Sequence, residues 1–487
     1  MPTSHNHHIR RSFRRLARHA LSIIAALLIG TAIATDVRAT ENTLRPTESD
    51  LWQPIEASAI AIGAERVVVP NLYKTMRLNR SNLASLLAKA PMEFTEAARA
   101  APPIITLPMP DGTLARFTFV ESPIVEPGLA AQYPDFKTYS GQGIDEPAAT
   151  VRFDWMPNGF HAMVLSPSGT VMVDPYAPDN VTDYSAYWKH DAVRSSQPFI
   201  CHVGDYVDDH SPKHLNTQTA GKMVTPGAAS GTTLRTYRLA LAATHEYAAA
   251  VGGNTVAGTL AAEVVVMNRV NGVFERELAI RMVIVANNGL ITFAGNNTGC
   301  SGVACTAAND PYSNDDGAAM LDENQMTIDG IIGSANYDIG HVFSTGGGGI
   351  ATLQSPCRTG LKARGVTGMS NPVGDVFAID LVAHEIGHQW GGNHTFNTTA
   401  GYCGGGNRAQ SAGYEPGSGV TIMAYAGICD AQNLANNSID TFHVKSLEEM
   451  IAYSQTGSGN SCAATTATGN LLPVVTGPGN FTIPKGT

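Results

Sequence analysis

His384-Glu385-Ile386-Gly387-His388-Gln389-Trp390-Gly391-Gly392-Asn393-His394 is the stretch from which the rest of this chain is read. Its pattern is H-E-x-x-H-x-x-G-x-x-H, and each fixed position has a chemical task. His384 and His388 are four apart, so on a helix both imidazoles leave one face about a turn apart and reach the same ion. Glu385 adjoins the first of them, placed to act on a water beside the metal and not on the metal itself. Gly391 lets the chain turn sharply through angles that a side chain resists, and the turn brings back His394 as a third ligand. Three neutral imidazoles leave the fourth position of a tetrahedral zinc open, which marks a catalytic site and not a structural one. H-E-x-x-H alone also fits an amphipathic helix with two ordinary histidines; the added glycine and third histidine argue against that reading.

Downstream lies Gly417-Ser-Gly-Val-Thr-Ile-Met-Ala-Tyr-Ala-Gly427. With this segment the chain resembles the metzincin clan of zinc endopeptidases, in which a methionine-containing turn forms a hydrophobic base beneath the three histidines. The resemblance gives that role to Met423. Tyr425 stands where astacin-like and serralysin-like metzincins carry a tyrosine that reaches the zinc or the transition state. A packed tyrosine with its hydroxyl satisfied locally is the equal alternative. Within the clan, residues 235–465 resemble bacterial secreted reprolysin-like peptidases, through Arg235-Thr-Tyr-Arg-Leu-Ala-Leu-Ala, Val270-Asn-Gly-Val-Phe-Glu-Arg and Ile339-Gly-His-Val-Phe-Ser-Thr-Gly-Gly-Gly-Gly. One position departs: eukaryotic reprolysins carry Asp directly after the third histidine, and this chain has Thr395.

The resemblance implies an α/β (α+β) metzincin-type catalytic domain with an active-site helix and a Met turn, holding one zinc and acting on protein or peptide substrates. Glu385 is then the general base that takes the proton of the attacking water and hands it to the leaving amine. Loss of Glu385 would end turnover and keep the metal, whereas loss of any of the three histidines would cost the metal.

Arg10, Arg11, Arg14, Arg15 and Arg18 precede an apolar run from Ala20 to Ala34, followed by Val37-Arg38-Ala39. This reads as a secretory signal peptide over residues 1–39, the run being too short for a membrane span. Arg10-Arg-Ser-Phe13 also loosely resembles a twin-arginine signal, so the export route stays open. The mature chain is expected to be secreted, with passage through a periplasm, and to carry no membrane span. Its seven cysteines agree with an oxidising compartment. Six of them allow 15 connectivities; the preferred one joins Cys300 to Cys305, Cys403 to Cys429 and Cys357 to Cys462.

Cys201 is left over, in Pro198-Phe-Ile-Cys-His-Val-Gly-Asp205. Many metzincins are zymogens whose propeptide cysteine occupies the open zinc position as a thiolate, and the resemblance makes Cys201 the candidate switch. The local sequence does not match the switch motif of matrix metalloproteases. A buried free cysteine and a cysteine paired between chains are the alternatives, and His202 is a weaker candidate inhibitory ligand.

The chain is expected to divide at 40–205, a mainly β propeptide acting as an intramolecular inhibitor; 206–234, a polar linker and place of activation cleavage; 235–465, the catalytic domain; and 466–487, a lead-in to a further C-terminal domain. Val151–Met156 and Phe160–Leu165 flank Pro157-Asn-Gly159 as a hairpin. The histidines and acids of this half are expected on solvated surface. Helical spacing follows at Val256–Val273 and a strand at Leu278–Val285; the zinc helix is expected from Asp375, its cap, to Gly391. Val444, Leu447 and Ile451 share one face of a closing helix. Gly346–Gly349 is expected beside the strand edge that binds substrate backbone. Asn309–Gly317 hints at calcium but fails the EF-hand spacing and is read as a solvated loop, so calcium has no support there. His341 and His443 are not expected to be ligands.

At 487 residues, 43% hydrophobic and 15% charged, this is a multi-domain globular composition. A net charge of −10 offers no basic footprint for nucleic acid. Two rival readings remain: a secreted adhesion or binding protein with a vestigial zinc site, and a zinc amidase acting on cell-wall peptides. Intact Glu385 argues against the first, since a binding module has no need of a general base.

Overall fold

In the computed structural model, residues 52–188 carry nine strands in one antiparallel sheet. These are β1 (Trp52–Pro54), β2 (Lys74–Leu78), β3 (Ile104–Pro108), β4 (Leu114–Glu121), β5 (Lys137–Gly143), β6 (Thr150–Met156), β7 (Gly159–Ser166), β8 (Gly169–Pro175) and β9 (Asp183–Trp188). Their order is β1-β2-β9-β8-β7-β6-β5-β4-β3. The structure describes residues 51–193, 201 and 230–471, without 62, 64 and 179. From Trp52 onward they belong to one compact unit. The signal segment over 1–39, His202, most of the 206–234 linker and the tail beyond 471 lie outside the described residues.

The expected hairpin joins β6 to β7 through Pro157-Asn158, with Met156 opposite Gly159. Gly159 has φ +129°, a conformation that strains any side chain. Strand alternation gives the sheet two apolar faces. Phe160 lies on one with Trp52 and Tyr184, at ring-centroid distances of 5.6 and 6.2 Å. Met163 and Leu165 lie on the other and pack into one core with Val264, Met267 and Phe274.

Those last three belong to a long helix, Val256–Leu278. Val264, Val265, Val266 and Met267 are consecutive and all buried, as befits a helix covered on both sides. It sits between the antiparallel sheet and a second sheet, of strands β10 (Thr233–Ala243), β11 (Ile280–Ile284), β12 (Ile339–Ser344), β13 (Gly349–Ala351), β14 (Gly365–Gly368) and β15 (Ala464–Ala467). Gly272 makes the approach possible, because a Cβ there would meet the Met163 side chain at 2.9 Å. The helix outruns its expected end at Val273 and stops at Ala279, in the left-handed conformation with φ 52°.

In the second sheet β10 runs parallel to β11 and β12, β14 parallel to β12, and β13 closes one edge antiparallel to β14. Along β10, Tyr237, Leu239 and Leu241 face the long helix and the active-site helix, while Ala240 and Ala242 face a helix at Gly317–Ile331. β15 pairs with Thr233–Thr236, so the sheet extends beyond both expected catalytic boundaries, 235 and 465. The disulfides are Cys300–Cys305, Cys357–Cys462 and Cys403–Cys429, the preferred connectivity.

Two expectations are corrected. The polar groups of the β half are not simply solvated: Arg152 pairs with Glu275, Arg269 with Asp174 and Arg281 with Glu93, all across the junction with the second half. The cause is the long helix, which buries that face of the sheet. In the closing helix, Val444–Ile451, Val444 is 76% exposed while Ser446 and Met450 are buried. Val444 opens the first turn, beyond the reach of the core, and Met450 instead packs its sulfur 3.5 Å from where a Cβ on Gly392 would stand.

Candidate metal centre

The segment before His384 is strongly apolar, and Val376–Ala383 is wound as a π-helix that passes into an α-helix at His384–Gln389. A widened turn of this kind is uncommon and often lies at a functional site. Asp375 does not cap the helix through its side chain, contrary to expectation, because that carboxylate is drawn instead to Lys189. Gly391, with φ +99°, ends the helix; a Cβ there would lie 2.9 Å from the Gln354 side chain.

The chain then returns His394 to the first two histidines. The Nε2 atoms of His384 and His388 are 3.1 Å apart, those of His388 and His394 3.0 Å, and those of His384 and His394 3.3 Å. Each Nδ1 donates to a backbone carbonyl: His384 to Ile422 at 2.6 Å, His388 to Gly392 at 2.7 Å and His394 to Asn407 at 2.6 Å. Carbonyls only accept, so these bonds select the Nδ1–H tautomer and aim three Nε2 lone pairs inward. Burial keeps the rings neutral, lowering His384 to about 4 and His394 to about 3, and His388 well below its ordinary value.

Cys201 is fully buried, with its Sγ 3.6 Å from His388 Nε2 and 3.5 Å from His394 Nε2. A tetrahedral zinc with bonds of about 2.05 Å to nitrogen and about 2.3 Å to sulfur would set its ligands about 3.3 Å (N to N) and about 3.6 Å (N to S) apart. These five distances suit an S-N-N-N shell of zinc size, and all four atoms lie within 4.8 Å of one another. Backbone contacts hold the cysteine there: it bridges Gly349 on the edge strand β13, in parallel sense, and the Tyr425 hydroxyl donates to its carbonyl at 3.1 Å. The Tyr425 ring packs 4.6 Å from that of His394.

Glu385 is buried beside this cluster, and among the described residues neither carboxylate oxygen has a partner of good hydrogen-bond geometry. Burial pushes its pKa up to about 8, and the neighbouring Cys201 thiol pulls in the opposite direction. Met423 lies beneath the helix, its sulfur 2.5 Å from where a Cβ on Gly387 would stand. Gly387, inside the motif but outside its fixed positions, is thus required by Met423. Only the packing reveals this.

Thr395 also acquires a role. Its hydroxyl donates to Glu415, whose carboxylate accepts from the Val420 and Thr421 amides and so ties the Met423 loop to the chain after His394. No sequence signal marked Glu415 or Asn407. His443 caps the closing helix, accepting from the Lys445 amide. In the Asn309–Gly317 loop, Asp316 caps the following helix and Asp310 accepts from the His245 amide; both are structural contacts.

His341 is buried between Gln389 and Thr367, at 2.9 and 2.8 Å, with its pKa lowered by burial to about 4. An unfolded imidazole takes its proton near pH 6.5, so the unfolded state gains protons first and stability falls between about pH 6.5 and about 4. Between pH 7 and pH 5, His341→Gln should lose about 2 kcal/mol less stability than the parent chain. Urea unfolding at the two pH values measures this; equal losses would assign the charge change to other groups.

Residues 233–452 match the model of a family described as Metallo-peptidase family M12B, Reprolysin-like. The crystal structure of metalloproteinase-II from Bacteroides fragilis aligns with 76% of this chain and 94% of its own, at 11% identity and a TM-score of 0.40. No curated protein matches the chain in sequence.

Proposed function

With residues 233–452 belonging to the reprolysin-like metallopeptidases, and the chain a metalloendopeptidase, we propose that it is a secreted zinc peptidase made as a zymogen. In this reading Cys201 blocks the metal until the N-terminal β half is cut away. The observation that carries it is the spacing of Cys201 Sγ and three Nε2 atoms, which suits one tetrahedral zinc. The basic-then-apolar start of the chain and three disulfides support export to an oxidising compartment.

Bound zinc would supply a Lewis acid that polarises the scissile carbonyl and makes water acidic. His384, His388 and His394 would hold it, their orientation set by the three carbonyls that accept from Nδ1. Glu385 takes the proton of the attacking water and passes it to the leaving nitrogen. The free edge of β13 offers backbone groups to an extended peptide once the Cys201 segment has left. Tyr425, released from the Cys201 carbonyl, can donate its hydroxyl to the developing oxyanion. Met423 and Gly387 keep the helix seated, and Glu415 keeps the Met423 loop in place.

The processed chain should cleave a generic protein substrate and carry about one zinc. A strong chelator should abolish cleavage, and one equivalent of zinc should restore it. Cleavage that survives complete metal removal would overturn the zinc assignment. Activity confined to peptidoglycan peptides would move the chain to the amidase reading.

A further inference from the structure

Lys189, at the end of the antiparallel sheet, has its ammonium buried among three carboxylates of the other half. It lies 2.8 Å from Asp375 Oδ2 and 2.9 Å from Asp380 Oδ1, pairs closely with Asp440, and donates to Ser438 Oγ at 3.3 Å. Asp375 precedes the active-site helix, Asp380 lies in its π-helical turn, and Asp440 follows the Met423 loop. All three are buried. One ammonium faces three carboxylates, and among the described residues Asp375 Oδ1 and Asp440 Oδ2 are buried with no hydrogen-bond partner.

We propose that Asp375, Asp380 and Asp440 form a second cation site, which Lys189 fills while the β half is attached and which a divalent cation of the calcium class occupies once that half is released. The release rests on the zymogen reading above; the site itself rests on the cluster. With the Lys189 ammonium gone, three carboxylates whose oxygens lie within 4.8 Å of one another repel unless another cation takes its place. A donor set made only of oxygens favours a hard ion. Calcium binds six to eight oxygens at about 2.3–2.6 Å. The oxygens now about an ammonium distance from Lys189 Nζ need to close by only about 0.4 Å, with Ser438 and water completing the shell. Burial and then the Asp440 carboxylate outweigh the pull of Lys189 and hold Asp375 up at about 7. Asp380 stands one turn before His384, so the ion would brace the turn that carries the first histidine.

The test uses the full exported chain, unprocessed, with Lys189→Ala, which empties the pocket without any cleavage. Thermal unfolding with and without added calcium chloride in chelator-treated buffer, at one fixed zinc concentration, should show a rise of about 3 °C or more in Lys189→Ala, none in the unprocessed parent, and none when Asp440→Asn is added. Calorimetric titration with calcium chloride should give about one site in the variant. A folded Lys189→Ala chain with equal Tm with and without calcium overturns the proposal. A variant recovered only from calcium-containing medium supports it, and one unrecoverable even with calcium overturns it. Processed parent enzyme, followed on a gel, should become calcium-sensitive on processing. A parent that is never processed would sink the zymogen reading and leave the Lys189→Ala result to decide the site.

Discussion

Glu385→Gln should leave the processed enzyme with its metal and lower kcat by about 10²–10⁴-fold. Glutamine keeps the shape of the side chain and cannot take a proton from water. Among the described residues the carboxylate oxygens have no partner of good hydrogen-bond geometry, and the Cys201 thiol that acts on the carboxyl is absent from the processed form proposed above. Exchanging a buried, unpaired carboxyl for an amide should leave the melting temperature equal or higher. A fall in rate at constant metal content and stability would therefore be chemical in origin. His388→Ala should behave differently, because it removes one of three inward Nε2 atoms and with it the metal. Initial rates on a quenched fluorescent peptide, with metal content by mass spectrometry, separate the two variants. A Glu385→Gln enzyme of parental kcat would remove Glu385 from the mechanism.

Cys201→Ala should free the unprocessed chain from latency. A latch worth about 3 kcal/mol holds the open form near about 1%, so unprocessed activity should rise on the order of 100-fold. The gain stops short of full activity, because the Gly349 bridge and the Tyr425 bond to the backbone of residue 201 do not need the thiol. On the proposed zymogen reading residue 201 is removed with the β half, so the processed form of the variant should match the processed parent. Cleavage of the fluorescent peptide before and after processing measures both. Unprocessed activity that stays at the parental level would show that the backbone segment, and not its sulfur, closes the site.

The same distinction between local and distant determinants explains what was legible. The hairpin at Pro157-Asn158, the strand after the long helix and the helix itself follow from turn chemistry and periodicity, which act over a few residues. The closing helix was legible as a helix, but Val444 was assigned to the wrong environment, because periodicity names a face and not what covers it. Asp375 failed as a cap for a related reason. A carboxylate at a helix start prefers a backbone amide only where no buried ammonium competes for it. Gly387 is at a variable position of the motif, and the sulfur of Met423 makes it obligatory.

By itself the sequence determined the helix of His384 and His388, the turn at Gly391 and the return of His394. Helical spacing and glycine's backbone freedom decide these within eleven residues. Tertiary structure alone decided that Cys201 meets His388 across 187 residues and that Lys189 meets Asp440 across 251. No local rule sets such encounters. They depend on which faces two sheets and a shared helix bury together, and burial is what turns a thiol or an ammonium from a solvated group into a partner that must be matched.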